Sequence, residues 1–224
     1  KEIWVSCDPN ETVFKDHEER IISAGLKVQF VDRKTLNKIH GNSSHHGVVL
    51  RRIPPEPVKI KDCLKHLNEL EDRNPLILVL DRIQDPRNFG ACLRVAACVG
   101  VDAVIYPNSN SANITSVVAQ AASGAIDLVS LVRVSNLSLA LRQLSSAGIW
   151  LIGSDEGSGV DFYDTNLKLP TAIIVGNEGV GVRHLTKTLC DLVVSLPAST
   201  ELSSLNVASA TAAMLYEALR QRTK

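Results

Sequence analysis

The chain has 224 residues, 45% of them hydrophobic, with 24 basic residues set against 24 acidic ones. That supplies a core for one large domain or for a medium domain with a small companion, and no apolar run is long enough to span a membrane. A formal net charge of zero argues against a surface given over wholly to nucleic acid, so any RNA site must be a local patch. The five cysteines (Cys7, Cys63, Cys92, Cys98 and Cys190) are scattered, with no C-x-x-C pair and no clustered His partner. They exclude a disulfide framework and a zinc site and are expected as small buried hydrophobes in a reducing cytoplasm; no metal site is expected.

No signal-peptide pattern opens the chain, and because it begins at Lys1 rather than Met, upstream residues are expected. Ile3 to Val5 reads as a short strand and Thr12 to Ala24 as a charged helix ended by Gly25. Lys27 to Val31 and Val48 to Arg51 are two further strands. Between them His40-Gly41-Asn42-Ser43-Ser44-His45-His46-Gly47 is a polar loop rich in turn formers. His45 and His46 lack carboxylate or cysteine partners there, so a contact to RNA or a plain loop role is expected rather than a metal. Arg52-Ile53-Pro54-Pro55-Glu56-Pro57 is a stiff, extended break. The expected organisation is therefore a small α/β domain over residues 1–53, a linker and leading helix (Ile60 to Leu70) over 54–74, and a second domain over 75–224.

From Pro75 onward apolar strands and helices alternate. Strands are expected at Leu76 to Leu80, Ala103 to Tyr106, near Leu128 to Val132, and at Ile149 to Ile152, Ala172 to Val175 and Leu192 to Leu196. Helices are expected at about Asn88 to Val99, Ser116 to Ala122, Leu137 to Ser146 with Asn136 as its cap, and Leu205 to Arg222. Near-continuous apolar strands alternating with helices predict an α/β fold whose parallel sheet is covered on both faces.

Three islands in this second domain stand out. In Asp85-Pro86-Arg87-Asn88-Phe89-Gly90-Ala91-Cys92-Leu93-Arg94, Pro86 sets the helix entry and Asn88 can cap its first turn. Arg94 follows Gly90 by one helical turn, so it is expected over a bare stretch where a ligand could lie. A capped helix with a solvated arginine explains the same residues. Gly176-Asn177-Glu178-Gly179-Val180-Gly181 ends a strand in a glycine-spaced turn bearing a carboxylate, and Gly153-Ser154-Asp155-Glu156-Gly157 ends another. Each could be an ordinary left-handed turn, but ligands of open parallel sheets bind beyond the carboxyl ends of strands. In the third, Leu196-Pro197 leads to Ser203-Ser204-Leu205-Asn206-Val207-Ala208, where Ser204 or Asn206 could simply cap the last helix. The alanine-rich start of that helix suits close packing in the core or against a second copy. Basic patches are diluted: Arg51, Arg52, Lys59 and Lys61 stand with Glu56, and Arg82, Arg87 and Arg94 with Asp81 and Asp85. A nucleotide-dependent oxidoreductase is disfavoured, since no G-x-G-x-x-G follows the first strand of the second domain.

Together the islands resemble the SpoU (TrmH-like) branch of the SPOUT class of RNA 2′-O-ribose methyltransferases. Asp85-Pro86-x-Asn88-x-Gly90-x-x-x-Arg94, Gly176-Asn177-Glu178-Gly179-x-Gly181, and Leu196-Pro197 with Ser204-Leu205-Asn206-Val207-Ala208 match its three motifs in order. The resemblance covers residues 75 to 222. The first domain, by its His45-His46-Gly47-Val48 loop, is more loosely similar to the substrate-binding domain, itself like certain ribosomal proteins, of bacterial enzymes that methylate a guanosine ribose in 23S ribosomal RNA; it is expected to be shortened at its start. The resemblance implies a parallel-sheet domain with a C-terminal trefoil knot, a cytoplasmic homodimer, an RNA partner (ribosomal, with transfer RNA as the alternative), and neither DNA nor a membrane. It implies S-adenosylmethionine as cofactor, held by Gly153, Ser154, Val175, Gly176, Leu196, Ser204 and Leu205. Asn88, Arg94, Glu178 and Asn206 would be the catalytic set, with Arg94 activating the ribose hydroxyl or stabilising its developing charge. A non-catalytic RNA-binding relative is the remaining alternative.

Overall fold

Two compact units, Lys1–Pro54 and Pro55–Lys224, divide the chain. The computed structural model describes residues 2–6, 19–41, 45, 47–71, 73–177, 179–199 and 205–223. In the first unit β1 (Glu2–Val5) lies between β2 (Lys27–Phe30), parallel to it, and β3 (Val48–Arg51), antiparallel to it. Residues 19–23 are helical and Gly25 turns the chain at φ 64°; the rest of the helix expected from Thr12 lies outside the described residues. A helix not foreseen, α1 (Arg33–His40), follows β2. Asp32 caps it by accepting from the Thr35 amide at 2.8 Å, and Gly41 closes it at φ 78°. Its single fully buried side chain, Leu36, leaves too faint a periodicity to be recognised.

The second unit is an α/β domain built on six parallel strands. In chain order these are β4 (Leu76–Asp81), β5 (Ala103–Pro107), β6 (Leu131–Val134), β7 (Trp150–Ser154), β8 (Thr171–Gly176) and β9 (Leu192–Val194). Their spatial order is β6-β5-β4-β8-β7-β9, every neighbour parallel. Alternate side chains of each strand feed two separate cores. Leu76, Leu78, Leu80, Ile173 and Val175 join the cluster beneath α3 (Pro86–Val99), α4 (Ser116–Ala122) and α7 (Val207–Arg222). Ile77, Val79, Ala172 and Ile174 join the other, beside α2 (Ile60–Asn68) and α5 (Leu137–Ser146). A short helix, α6 (His184–Lys187), precedes β9. All six residues of β4 and of β8 are buried, which is why both read as unbroken apolar runs.

Two local expectations change. The strand expected near Leu128 begins at Leu131, because a 3-10 turn at Ala125–Asp127, entered through Gly124 at φ 89°, occupies the preceding residues and leaves Leu128 77% exposed. Helix α3 starts at Pro86, and its cap is Asp85, whose carboxylate accepts from the amides of Arg87 and Asn88 at 2.8 Å each. Asn88 therefore does not cap, and its side chain is released for another contact. Asn136 caps α5 through the Leu139 amide at 3.0 Å, as expected.

The order of strands reverses between β4 and β8. β4 is followed outward by β5 and β6, whereas β7 and β9 lie on the other side of β8. A doubly wound sheet opens a crevice at such a point, beyond the carboxyl ends of its strands.

Candidate functional site

The turn after β8 doubles back on itself. The Gly181 amide donates to the Asn177 carbonyl at 2.8 Å, and Gly179 and Gly181 take φ values of 84° and 65°, where glycine is favoured. A Cβ on Gly176 would stand 2.0 Å from the Gly181 carbonyl carbon. All three glycines are thus required by the turn itself: two by backbone angle, one by the close return of the chain. Glu178, at its tip, lies outside the described residues.

Helix α7 begins opposite this turn. Asn206 caps it by accepting from the Ala208 amide at 2.9 Å, and its Nδ2 donates to Asn88 Oδ1 at 3.1 Å. The freed Asn88 side chain is thereby tied to the start of the last helix, 118 residues away in sequence. Helices α3 and α7 meet along their length, with Cys92 Sγ 3.5 Å from Thr211 Oγ1. Gly90 serves a different contact. It is buried, and a Cβ there would lie 2.6 Å from Ala121 Cβ and 2.7 Å from the Val118 carbonyl oxygen. The bare stretch expected to receive a ligand is filled by α4. Arg94 stands exposed on α3, without a hydrogen bond or ion pair among the described residues.

Between the β8 turn and the α7 start is a cleft of about 940 Å³. It lies at the carboxyl ends of β7, β8 and β9. Ser154, Val175, Gly176, Leu196, Leu205 and Asn206 line it together with Val194, Val207 and Met214, so its wall mixes apolar side chains with glycine and small polar residues. Asp155 and Glu156 also line it, Asp155 being paired with Lys187 at 2.7 Å. Of the residues singled out from sequence, neither Asn88 nor Arg94 is in its lining, and Asn88 is tied to Asn206, which is. Gly153 faces the other side of the sheet, where a Cβ would meet Cys190 Sγ at 2.8 Å. Burial, reinforced by Asp191 and Asp81, pushes the Cys190 thiol up to about 12, so it is no nucleophile at neutral pH. Ser204 lies outside the described residues.

One constellation escaped the sequence. The Asp81 side chain at the end of β4 is fully buried, and Arg183, just beyond the glycine turn, bonds it through Nε at 2.7 Å and Nη2 at 2.7 Å. Thr186 Oγ1 donates to the same carboxylate at 2.8 Å. The ion pair locks the exit of the turn to the neighbouring strand. The only sequence signal was a carboxylate closing an otherwise apolar strand.

A model of the SpoU rRNA methylase family matches residues 75–216. The chain belongs to this family. It is 38% identical over 222 residues to the 23S rRNA (guanosine-2′-O-)-methyltransferase RlmB of Ralstonia nicotianae, covering 99% of this chain and 88% of that one. It is 42% identical over 205 residues to the RlmB of Haemophilus influenzae, covering 90% and 82%. The solved structure of the SpoU methyltransferase AviRb from Streptomyces viridochromogenes, in complex with the cofactor AdoMet, superposes with a TM-score of 0.78. At 24% identity, over 100% of this chain and 83% of that one, this likeness bears on the fold.

In this SpoU chain the second and third motifs meet at one cleft and the first joins them through the Asn88–Asn206 hydrogen bond. Gly176, Gly179 and Gly181 line the cleft beside small residues such as Ser154, Ala198 and Ala210, which is where the glycines of its motifs fall. In the first unit His45 is buried. Its Nδ1 accepts from the Gly47 amide at 3.0 Å, so the neutral ring carries its proton on Nε2 and donates to Asn37 Oδ1 at 2.7 Å. His45 thus pins its own loop and does not present its ring to RNA; His46 lies outside the described residues.

Proposed function

We propose that this protein transfers a methyl group from S-adenosylmethionine to the ribose 2′-hydroxyl of a guanosine in 23S ribosomal RNA. The observation that carries the reading is the cleft of about 940 Å³ formed where the SpoU motifs converge, in a chain 38% and 42% identical to two RlmB enzymes. Its size falls in the usual range for small-ligand sites, about 300–1,000 Å³. Its apolar walls at Val175, Leu196 and Leu205 suit an adenine, and the exposed backbone polar groups suit the hydrogen-bonding parts of a nucleoside. The residues present therefore fit the cofactor. Ser154, Val175, Gly176, Leu196, Ser204 and Leu205 are the proposed contacts, with Gly153 supporting from behind its strand. Bound there, S-adenosylmethionine would supply a methyl group on a sulfonium that is its own leaving group.

What the chain must add is alignment and charge stabilisation. Alignment of two reactants is worth up to about 7–11 kcal/mol in favourable cases. Arg94 carries a guanidinium that stays protonated, so we assign it to steadying the developing alkoxide and the adjacent phosphate rather than to taking the proton itself. Asn88, held by Asn206, and Glu178 are assigned to orienting the ribose and Arg94. The finer architecture follows the same reading. Residues 1–53 form the RNA-binding domain, 54–74 the linker and leading helix, and 75–224 the methyltransferase domain. In that domain the carboxy-terminal segment is threaded as a trefoil knot, a reading supported by the tight return of the chain over Gly176 and the seat of α7 against α3. The working form is a cytoplasmic homodimer.

The test is methyl transfer to a 23S ribosomal RNA transcript with labelled S-adenosylmethionine, paired with calorimetric titration of the cofactor. Arg94→Ala should bind S-adenosylmethionine as the wild type does and lose transfer by at least a hundredfold. Near wild-type turnover of that variant sinks the assignment of Arg94, and transfer to transfer RNA alone would move the substrate.

A further inference from the structure

A second cavity, of about 240 Å³, opens at the carboxyl ends of β4, β5 and β6, and its charged lining residues are both arginines. Arg82 enters it from the residue after β4, and Arg183 from the residue that follows the glycine turn by two positions. Ser109, Ser135 and Ser138 add hydroxyls, and Asn136 also lines it. Among the described residues no carboxylate lines it. The acids that appear in sequence to dilute this patch are both committed elsewhere: Asp81 is buried against Arg183 and Thr186, and Asp85 caps α3.

The donors of the cavity are free in a specific way. Arg183 spends Nε and Nη2 on Asp81, which fixes its guanidinium plane and leaves Nη1 without an acceptor among the described residues. Arg82, half-buried, makes no hydrogen bond or ion pair through its side chain among the described residues. Its backbone sits at φ 63°, a left-handed conformation uncommon for a residue with a side chain. Of the amides that open α5, Asn136 takes that of Leu139, and those of Leu137 and Ser138 have no acceptor among the described residues. A fixed guanidinium edge, a second guanidinium, several hydroxyls and the opening amides of α5 line a space with room for a phosphodiester group and its flanking sugars. Such a donor set matches phosphate oxygens, and its two guanidinium charges disfavour a cation.

We infer that this cavity binds a phosphodiester group of the substrate RNA, next to the nucleotide that enters the methyl-donor cleft. The inference rests on the reading of the chain as an RNA methyltransferase. The RNA backbone is favoured over a free anion because Arg183, which lines this cavity, stands two residues after Gly181, which lines the cleft. A strand running past the glycine turn from one pocket to the other would set a phosphate on the arginines while a nearby ribose enters the cleft. The site then fixes register along the strand, as backbone contacts do, without reading a base.

Two variants test this on the full chain, with a 23S ribosomal RNA transcript as probe. Arg82→Gln removes one cation at an exposed edge. Ser138→Glu sets a carboxylate in the first turn of α5, where it suits the helix and repels a phosphate. Arg183 is left intact because it neutralises buried Asp81. Arg82→Gln should raise the KM for RNA about five- to tenfold and lower the slope of log affinity against log salt by about 0.7–0.9, the value for one phosphate contact. Ser138→Glu should raise KM at least as far. Turnover at saturating RNA and calorimetric affinity for S-adenosylmethionine should not move in either. Unchanged RNA KM and unchanged salt slope in both variants, beside an active wild type, overturn the cavity as an RNA site. If the wild type binds the RNA but transfers no methyl group, while Arg82→Gln weakens that binding, the enzymatic reading falls and the phosphate site stands.

Discussion

At the scale of single residues, the Asp81–Arg183 pair decides how the second motif is held. The Asp81 side chain is 0% exposed and that of Arg183 27%, so the carboxylate relies on Arg183 and Thr186 in place of water. Removing one partner of a fully buried pair costs about 3–5 kcal/mol, because the remaining charge is stranded. Partial exposure of Arg183 lowers that, and Arg183→Ala should destabilise the second unit by on the order of 2–3 kcal/mol in urea denaturation. Asp81→Asn with Arg183→Gln should recover much of the loss, since no charge is then stranded. Equal losses in the single and double variants would mean the pair is not the source. Neither residue could be matched to the other from sequence, because a pairing across 102 positions leaves no local pattern. Asn88 and Asn206 were legible as polar residues in two motifs, yet their hydrogen bond to one another was not, and the capping role foreseen for Asn88 belongs to Asp85.

At the scale of elements, the crossing of α3 and α4 shows how a motif glycine can be structural. Gly→Ala inside a helix is ordinarily stabilising by about 1 kcal/mol. At Gly90 the added Cβ would stand 2.6 Å from Ala121 Cβ and 2.7 Å from a backbone oxygen, so the helices must separate. Overpacking of this kind costs about 1–3 kcal/mol, and Gly90→Ala should lower the thermal midpoint rather than raise it. A raised midpoint in a melting scan contradicts the packing described. The strands and helices of the second unit were legible because burial on both faces of β4 and β8 forces continuous apolar runs, and because Asn136 marks a helix start plainly. Helix α1 was not, since it buries little beyond Leu36, and the start of β6 was displaced by a turn that Gly124 permits. Which face of α3 meets another helix could not be read at all, because a glycine permits close packing and ligand approach equally.

At the scale of the whole molecule, neutral charge and RNA recognition are reconciled by placement. The acids are consumed as a cap and as a buried partner, which leaves Arg82, Arg87 and Arg94 a more basic edge than composition suggests. The last helix closes the architecture: Arg222 donates to the carbonyls of Leu167, Asn74, Pro75 and Leu169, anchoring α7 across the amino-terminal side of the sheet while its start frames the cleft. Such a frame holds the start of α7 beside the glycine turn. Sequence announced the motifs and their family resemblance but not that Gly153 faces away from the cleft, nor that Arg94 stands outside its lining. Those are facts of three-dimensional placement. Most direct for the central claim is mapping of ribose 2′-O-methyl groups in ribosomal and transfer RNA from cells with and without this gene. The account predicts loss of one guanosine ribose methylation in 23S ribosomal RNA, restored by the wild-type chain and not by Arg94→Ala. An unchanged 23S pattern in cells lacking the gene would contradict it.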